Sequence, residues 1–314
     1  MEVTFEKAKF THRVFAFMVD LFLMIVTALL LVLASRQLVG LTPFYSSAVN
    51  KIKDVQIASH LYVKDEKGDT VLLCEFYSPE SEEDCEEYNV ELDKALKEFY
   101  KDTYFFTEDS SNLYLEQRMK TGYFIYTDDS HTDAAPKSDV LASTIYKTYT
   151  SLMKTEAVTY ISKNVDYVSA SKTINLSFIF LILLVPIVIS VTIYEYIIPL
   201  CLKRGRKTLG KLAFKLGVVD EKGLSPSFWR FTARFALFLF VEILLSVVAF
   251  MIPFLVSMTM FYFSKKAQSF HDYVTATYVI STDGARVFMN ENEYLETKKE
   301  AEEFELKADS VSLK

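Results

Sequence analysis

The chain has 314 residues, a net charge of −7 at pH 7 and 51% hydrophobic residues, with a mean hydropathy of +0.17. It is too apolar for an ordinary acidic soluble protein of pI 5.3, and long enough for a membrane region plus one moderate soluble domain. Its apolar residues fall in three blocks, 14–34, 174–202 and 228–263, each long enough to cross a bilayer core as a helix, which takes about 20 residues.

Asp20 is the only charged residue in the first block. A carboxylate at bilayer depth costs roughly 3 kcal/mol on insertion scales, which marks it as a functional-site candidate. Arg13 stands seven residues earlier, close to two helical turns. Both side chains therefore project from one face, about 10 Å apart along the axis. The block is longer than the apolar core of a signal peptide, about 7–15 residues, and ends at Leu33-Ala34-Ser35, a poor cleavage site. An uncleaved anchor is expected.

Residues 39–172 read as an α+β insertion. Residues 55–63 and 70–77 are β-rich, and the polar, glycine-bearing 64–69 segment between them suits a hairpin loop. From Ser81 to Tyr104 the period turns helical, with Cys85, Tyr88, Leu92, Leu96, Phe99 and Tyr100 on one face. Ser81 is placed to cap that helix, and Glu82, Glu83 and Asp84 suit its first turn. A third strand is expected over 122–126. The 128–133 loop is rich in carboxylates but lacks the glycine and terminal glutamate of an EF-hand loop, so it reads as a solvated loop. A second helix is expected from Pro136, and no glycine or proline interrupts 141–175, which points to one helix running into the second span. Cys74 and Cys85 leave both a disulfide and two free thiols open; Cys201 closes the second span. No Cys/His spacing makes a metal site.

Residues 36–172 carry 15 Lys/Arg against 24 Asp/Glu, whereas 203–234 carries nine basic residues against only Asp220 and Glu221. The positive-inside rule then puts the N-terminus and the 203–234 loop in the cytoplasm and 39–172 outside. Within that loop, Thr208-Leu209-Gly210-Lys211 reads as a helix-turn element in which Gly210 permits a close backbone approach. The third block would be about 54 Å long as a helix, well beyond a core of about 30 Å. It is either an interfacial helix followed by one tilted span or a hairpin turning near Pro253. Lys265 and Lys266 favour a cytoplasmic exit and hence the hairpin. Residues 214–219 and 277–280 are candidate strands on either side of this block, and their pairing would require the hairpin. The 290–314 tail is acidic and reads as solvated.

Four ordered elements resemble the RDD family of bacterial membrane proteins. They are His12-Arg13 through Asp20; Tyr194-Glu195 with Gly205 to Lys211 and Leu216 to Gly223; Arg230 to Arg234; and Phe270-His271-Asp272 through Thr277. Ala276 stands where that family often has glycine. The resemblance implies a multi-pass protein of the bacterial plasma membrane. It would be an α-helical integral membrane bundle of 3–4 transmembrane helices; the resemblance covers residues 5–38 and 172–282, and the extracellular α+β domain is an insertion outside it. The corresponding divisions are 1–38 (N-terminus and first span), 39–172 (insertion), 173–202 (second span), 203–234 (basic loop and interfacial helix), 235–264 (third block) and 265–314 (motif segment and tail).

Arg13, Asp20, Glu195, Arg234, Glu242 and Asp272 form the expected motif and intramembrane polar group. Asp20 either takes up a proton or cation or is a structural partner of Arg230, Arg234 or another base. The family resemblance suggests a transporter or an ion- or proton-coupled exchanger. The alternative is a membrane-anchored sensor, scaffold or accessory subunit whose external domain binds a partner. No nucleophile elbow, phosphate loop, dinucleotide fingerprint or zinc-protease helix is present, so no enzymatic role, cofactor or nucleic-acid partner is expected. The expected partners are the lipid bilayer, further copies of the chain, and an extracellular protein or ligand.

Overall fold

A computed structural model describes residues 6, 8–103, 110–264, 266–284 and 286–312. Lys265, one of the two lysines cited for the cytoplasmic exit, lies outside them. The chain forms two compact units. One comprises Met1–Arg36 with Phe180–Lys314, and the other Gln37–Ile179.

Helix α1, Phe10–Gly40, contains the first apolar block and leads into the 37–179 unit. In that unit α2 spans Pro43–Ala58, with proline at its start where no backbone donor is needed. The first four residues of the strand expected over 55–63 are instead the end of α2, and only its last two are strand. Ala48, Ile52 and Val55 recur at steps of four and three, and that helical face outweighs the local β-branching. Strands β1, Tyr62–Lys64, and β2, Thr70–Leu72, form the expected hairpin, but the chain then coils into α3, Leu73–Phe76, instead of extending to 77.

Helix α4, Glu82–Glu98, starts on the Ser81 cap, completed by the Asp84 carboxylate returning to the Ser81 amide as a capping box. After α5, Ser110–Lys120, strands β3, Phe124–Tyr126, and β4, Ala134–Pro136, form a second ribbon closed by the 128–133 loop. In that loop Asp133 accepts from Arg118 Nη2 at 2.8 Å. Pro136 ends a strand and does not start a helix. Helix α6, Ala142–Lys163, begins six residues later and stops at Asn164, whose extended backbone and side-chain cap on Tyr167 start α7, Val165–Cys201. The uninterrupted helix expected over 141–175 is therefore broken by a capping asparagine. Leu92, Leu96, Phe99, Tyr100, Ile145, Tyr149 and Met153 are central to the unit's core. Strands are a minor part of it. Cys74 and Cys85 are free, buried thiols.

In the other unit, α7 leads through a basic loop to α8, Leu209–Ala213, and β5, Leu216–Val219. The third block divides into α9, Phe228–Val248, and α10, Ile252–Phe263. Phe250 and Met251 take left-handed conformations between them, and Met251 N–H donates to Ser246 O at 2.7 Å. Next come α11, Phe270–Val274, and β6, Tyr278–Ser281, which pairs antiparallel with β5 in the register Leu216↔Ser281 to Val219↔Tyr278. One strand precedes the third block and the other follows it, so both ends of the block lie at one end of the unit. The block is a hairpin, not one tilted span. Ser281 N–H also donates to Glu6 O at 3.1 Å, which brings the N-terminal segment to the same sheet.

The acidic tail forms α12, Glu291–Ser312. Glu293 accepts from Arg204 and Arg286, and Glu291 from Lys222. These exposed pairs are worth little individually.

Three helices, α1, α7 and α9, are long and apolar enough to cross a membrane. Two of them contain widened, π-helical turns. In α7 these lie at Phe178–Leu184 and Ile193–Ile197. Pro186 and Pro199 lack the N–H that would bond the carbonyls of Ile182 and Glu195, so the turn before each proline widens. The third, Phe238–Leu244 in α9, has no proline to account for it.

Candidate functional site

All six residues of the expected polar group line one cavity of about 160 Å³ in the Met1–Arg36/Phe180–Lys314 unit. That is room for several water molecules. Phe17, Phe238, Phe254, Met258 and Phe261 form much of its apolar wall. The two glutamates on the cavity wall, Glu195 and Glu242, each sit in a π-helical segment, where the extra residue per turn re-aims a side chain.

The charged groups divide into two sets. In the first, Asp20 is 1% exposed and, among the described residues, accepts from two neutral donors, the Thr208 hydroxyl and Gly210 N–H, the latter at 2.7 Å. Thr208 is the N-cap of α8, so the carboxylate meets the positive end of a short helix. Gly210 is needed for this approach. A Cβ there would overlap the Ala16 carbonyl of α1 and stand 2.8 Å from Asp20 Oδ2. Lys211 reaches Glu195 at 3.6 Å rather than Asp20.

The second set is an ion-paired chain. Arg234 Nε donates to Asp272 Oδ1 at 2.8 Å, and Arg234 Nη2 lies 3.0 Å from His271 Nε2. His271 Nδ1 meets Glu242 Oε1 at 2.7 Å, and the same oxygen accepts the His271 backbone N–H at 3.0 Å. A guanidinium can only donate, so its partners assign His271 a bare Nε2 and a proton on Nδ1 given to Glu242. Ser269 and Thr277 hydroxyls complete the Asp272 carboxylate. Arg13 approaches Asp272 Oδ2 at 3.9 Å, donates to the Ala267 carbonyl and lies 4.4 Å from the Phe261 ring centre. Burial by itself would raise the Asp272 carboxyl, but the guanidiniums of Arg234 and Arg13 outweigh it and hold the group well below the usual carboxylate range.

Neither arginine weighed for Asp20 bonds it, and the other base that acts on it is Lys211, through its charge alone. Arg234 belongs to Asp272, and Arg230 lies 3.7 Å from Asp220. Sequence reasoning gave no role to His271 or Thr208, although both stand inside the quoted motifs. The motif adjacency of His271 and Asp272 was the available signal for the first, and the Thr-x-Gly spacing before a short helix for the second.

Ala276 has φ +50, a left-handed conformation that costs a non-glycine residue about 1–2 kcal/mol. Ala276→Gly is expected to raise the unfolding free energy by about 1 kcal/mol, read by thermal melting in detergent, without changing the site. An unchanged or lower melting temperature would contradict that account of the turn.

A sequence profile described as the RDD family matches residues 140–276. The resemblance is thus borne out over α6 to α11, including Glu195, Arg234, Glu242 and Asp272. Arg13 and Asp20 stand outside the matched stretch, and the match begins within the segment read as insertion. No curated protein and no solved structure matches the chain.

Proposed function

Taking as premise that residues 140–276 match the RDD family, we propose that this membrane protein is a carrier coupled to a proton or small cation, with Asp20 as the accepting carboxylate. The observation that supports it most is the unequal treatment of two buried aspartates. Asp272 is held by two arginines, whereas Asp20 faces the cavity with no cation among the described residues bonded to it. A carboxylate so placed has capacity left for a proton or a cation. Glu195 and Lys211, 3.6 Å apart on the cavity wall, are placed to modulate it. The N-terminus and the basic 203–234 loop face the cytoplasm of a bacterial cell in this reading.

Asp20→Asn tests it. Asparagine keeps an oxygen for Gly210 N–H and an amide for the Thr208 hydroxyl, so the fold survives. Proton flux into proteoliposomes should fall at least tenfold while the melting temperature stays near that of the wild type. Wild-type flux in this variant would sink the proposal.

A second reading draws on the 37–179 unit, which has its own buried core. There the chain is a membrane-anchored sensor or scaffold, and that unit binds an extracellular protein or ligand. Asp20→Asn would then lower stability instead of flux.

A further inference from the structure

We propose that His271 is an acid-sensitive latch on the cavity, an inference that rests on reading the cavity as the functional site. Its ring stands between a carboxylate and a guanidinium, with Glu242 Oε1 2.7 Å from Nδ1 and Arg234 Nη2 3.0 Å from Nε2. The Arg234 contact exists only while Nε2 is bare, because two N–H groups cannot share one hydrogen bond. A second proton on the ring turns that contact into a repulsion between two cations.

The charges around it set the consequence. Arg234 and Glu242 face the ring from α9, Asp272 lies beside it on α11 with Oδ1 3.6 Å from Nε2, and Arg13 reaches Asp272 from α1. Asp20, Glu195 and Lys211 share the cavity wall. With neutral His271 the paired chain holds two cations and two anions. An imidazolium adds a third buried cation and competes for Asp272 Oδ1 with Arg234 Nε. The guanidinium then loses one of its two contacts, and the first turns of α9 are released from α11. Arg234 lines the cavity, so this movement changes access to it. Histidine is the side chain whose ordinary titration falls in the physiological range, whereas Asp272 remains ionised through it.

The chain carries one tryptophan, Trp229, five residues before Arg234 on α9 and 78% exposed. It is a built-in reporter of that helix. The experiment is Trp229 emission from the full-length protein in lipid nanodiscs, titrated from about pH 8 to about pH 5. A single-proton step is expected in the wild type. In His271→Asn it should be lost, because asparagine can still donate toward Glu242 but takes no second proton. In Glu242→Gln the step should move to lower pH, since an anion favouring the imidazolium is gone; this second variant decides the matter where His271→Asn folds poorly. A flat wild-type trace, or an unmoved step in both variants, overturns the latch. Asp20-dependent flux without a Trp229 step would overturn the latch alone, and a step without flux would overturn the carrier reading alone.

Discussion

Arg234→Met is expected to be the most damaging single substitution in the membrane unit, costing roughly 3–5 kcal/mol and the monodispersity of the purified protein. Its guanidinium serves two acceptors at once, Asp272 Oδ1 through Nε and His271 Nε2 through Nη2. Methionine fills the space but leaves Asp272, 2% exposed, with hydroxyl partners and one arginine at 3.9 Å. The loss is mainly the cost of a buried charge without its counter-ion, more than the worth of the pair itself. Arg234→Lys should recover little, because one ammonium cannot reproduce a fork aimed at two acceptors. Arg234→Met combined with Asp272→Asn should recover much of it, since the orphaned charge is then gone.

A melting series in detergent checks all three. A single-mutant loss within about 1 kcal/mol would contradict the assignment of this pair as the keystone. The sign with pH follows from the depressed Asp272 carboxyl. Its contribution is complete above the ordinary carboxylate range and is lost only as pH falls toward the folded-state value, so the Asp272 carboxyl itself adds no pH dependence between about 5 and 8.

Gly210→Ala is expected to have the next largest effect. The methyl group would overlap the Ala16 carbonyl, which belongs to helix backbone and cannot rotate aside. Helix α8 must move off α1, and Asp20 then loses the Gly210 N–H. Overpacking of this kind costs about 1–3 kcal/mol and sometimes more. The variant should lose stability and flux together, whereas Asp20→Asn should lose flux alone. Equal melting temperatures for Gly210→Ala and the wild type would show that the approach of α8 to α1 is looser than described.

The membrane helices were legible because long apolar runs have few alternatives in a bilayer. The hairpin could be argued from sequence through the two strands flanking it, and their pairing decides it. Legibility failed where short-range and long-range signals competed. The β-branched 55–58 segment is helical because it continues the face begun at Ala48, and Asn164 breaks a helix that carries no glycine or proline. Within the site, the residues that gather at the cavity could be picked out as charges at apolar positions. Their partners could not, because pairing depends on how α1, α9 and α11 cross. Arg13 and Asp20 share a stripe, yet Arg13 belongs with Asp272 and Asp20 with Thr208 and Gly210.

The carrier reading, in its proton-coupled form, turns on whether Asp20 takes up a proton while Asp272 does not. Infrared difference spectroscopy of the protein in nanodiscs, comparing neutral with acidic pH, reads the carbonyl stretch of a newly protonated carboxyl. The account predicts a band in the wild type that is missing from Asp20→Asn and retained in Asp272→Asn. A wild-type-minus-Asp20→Asn difference with no carboxyl band, or a band that disappears with Asp272 instead, would contradict it.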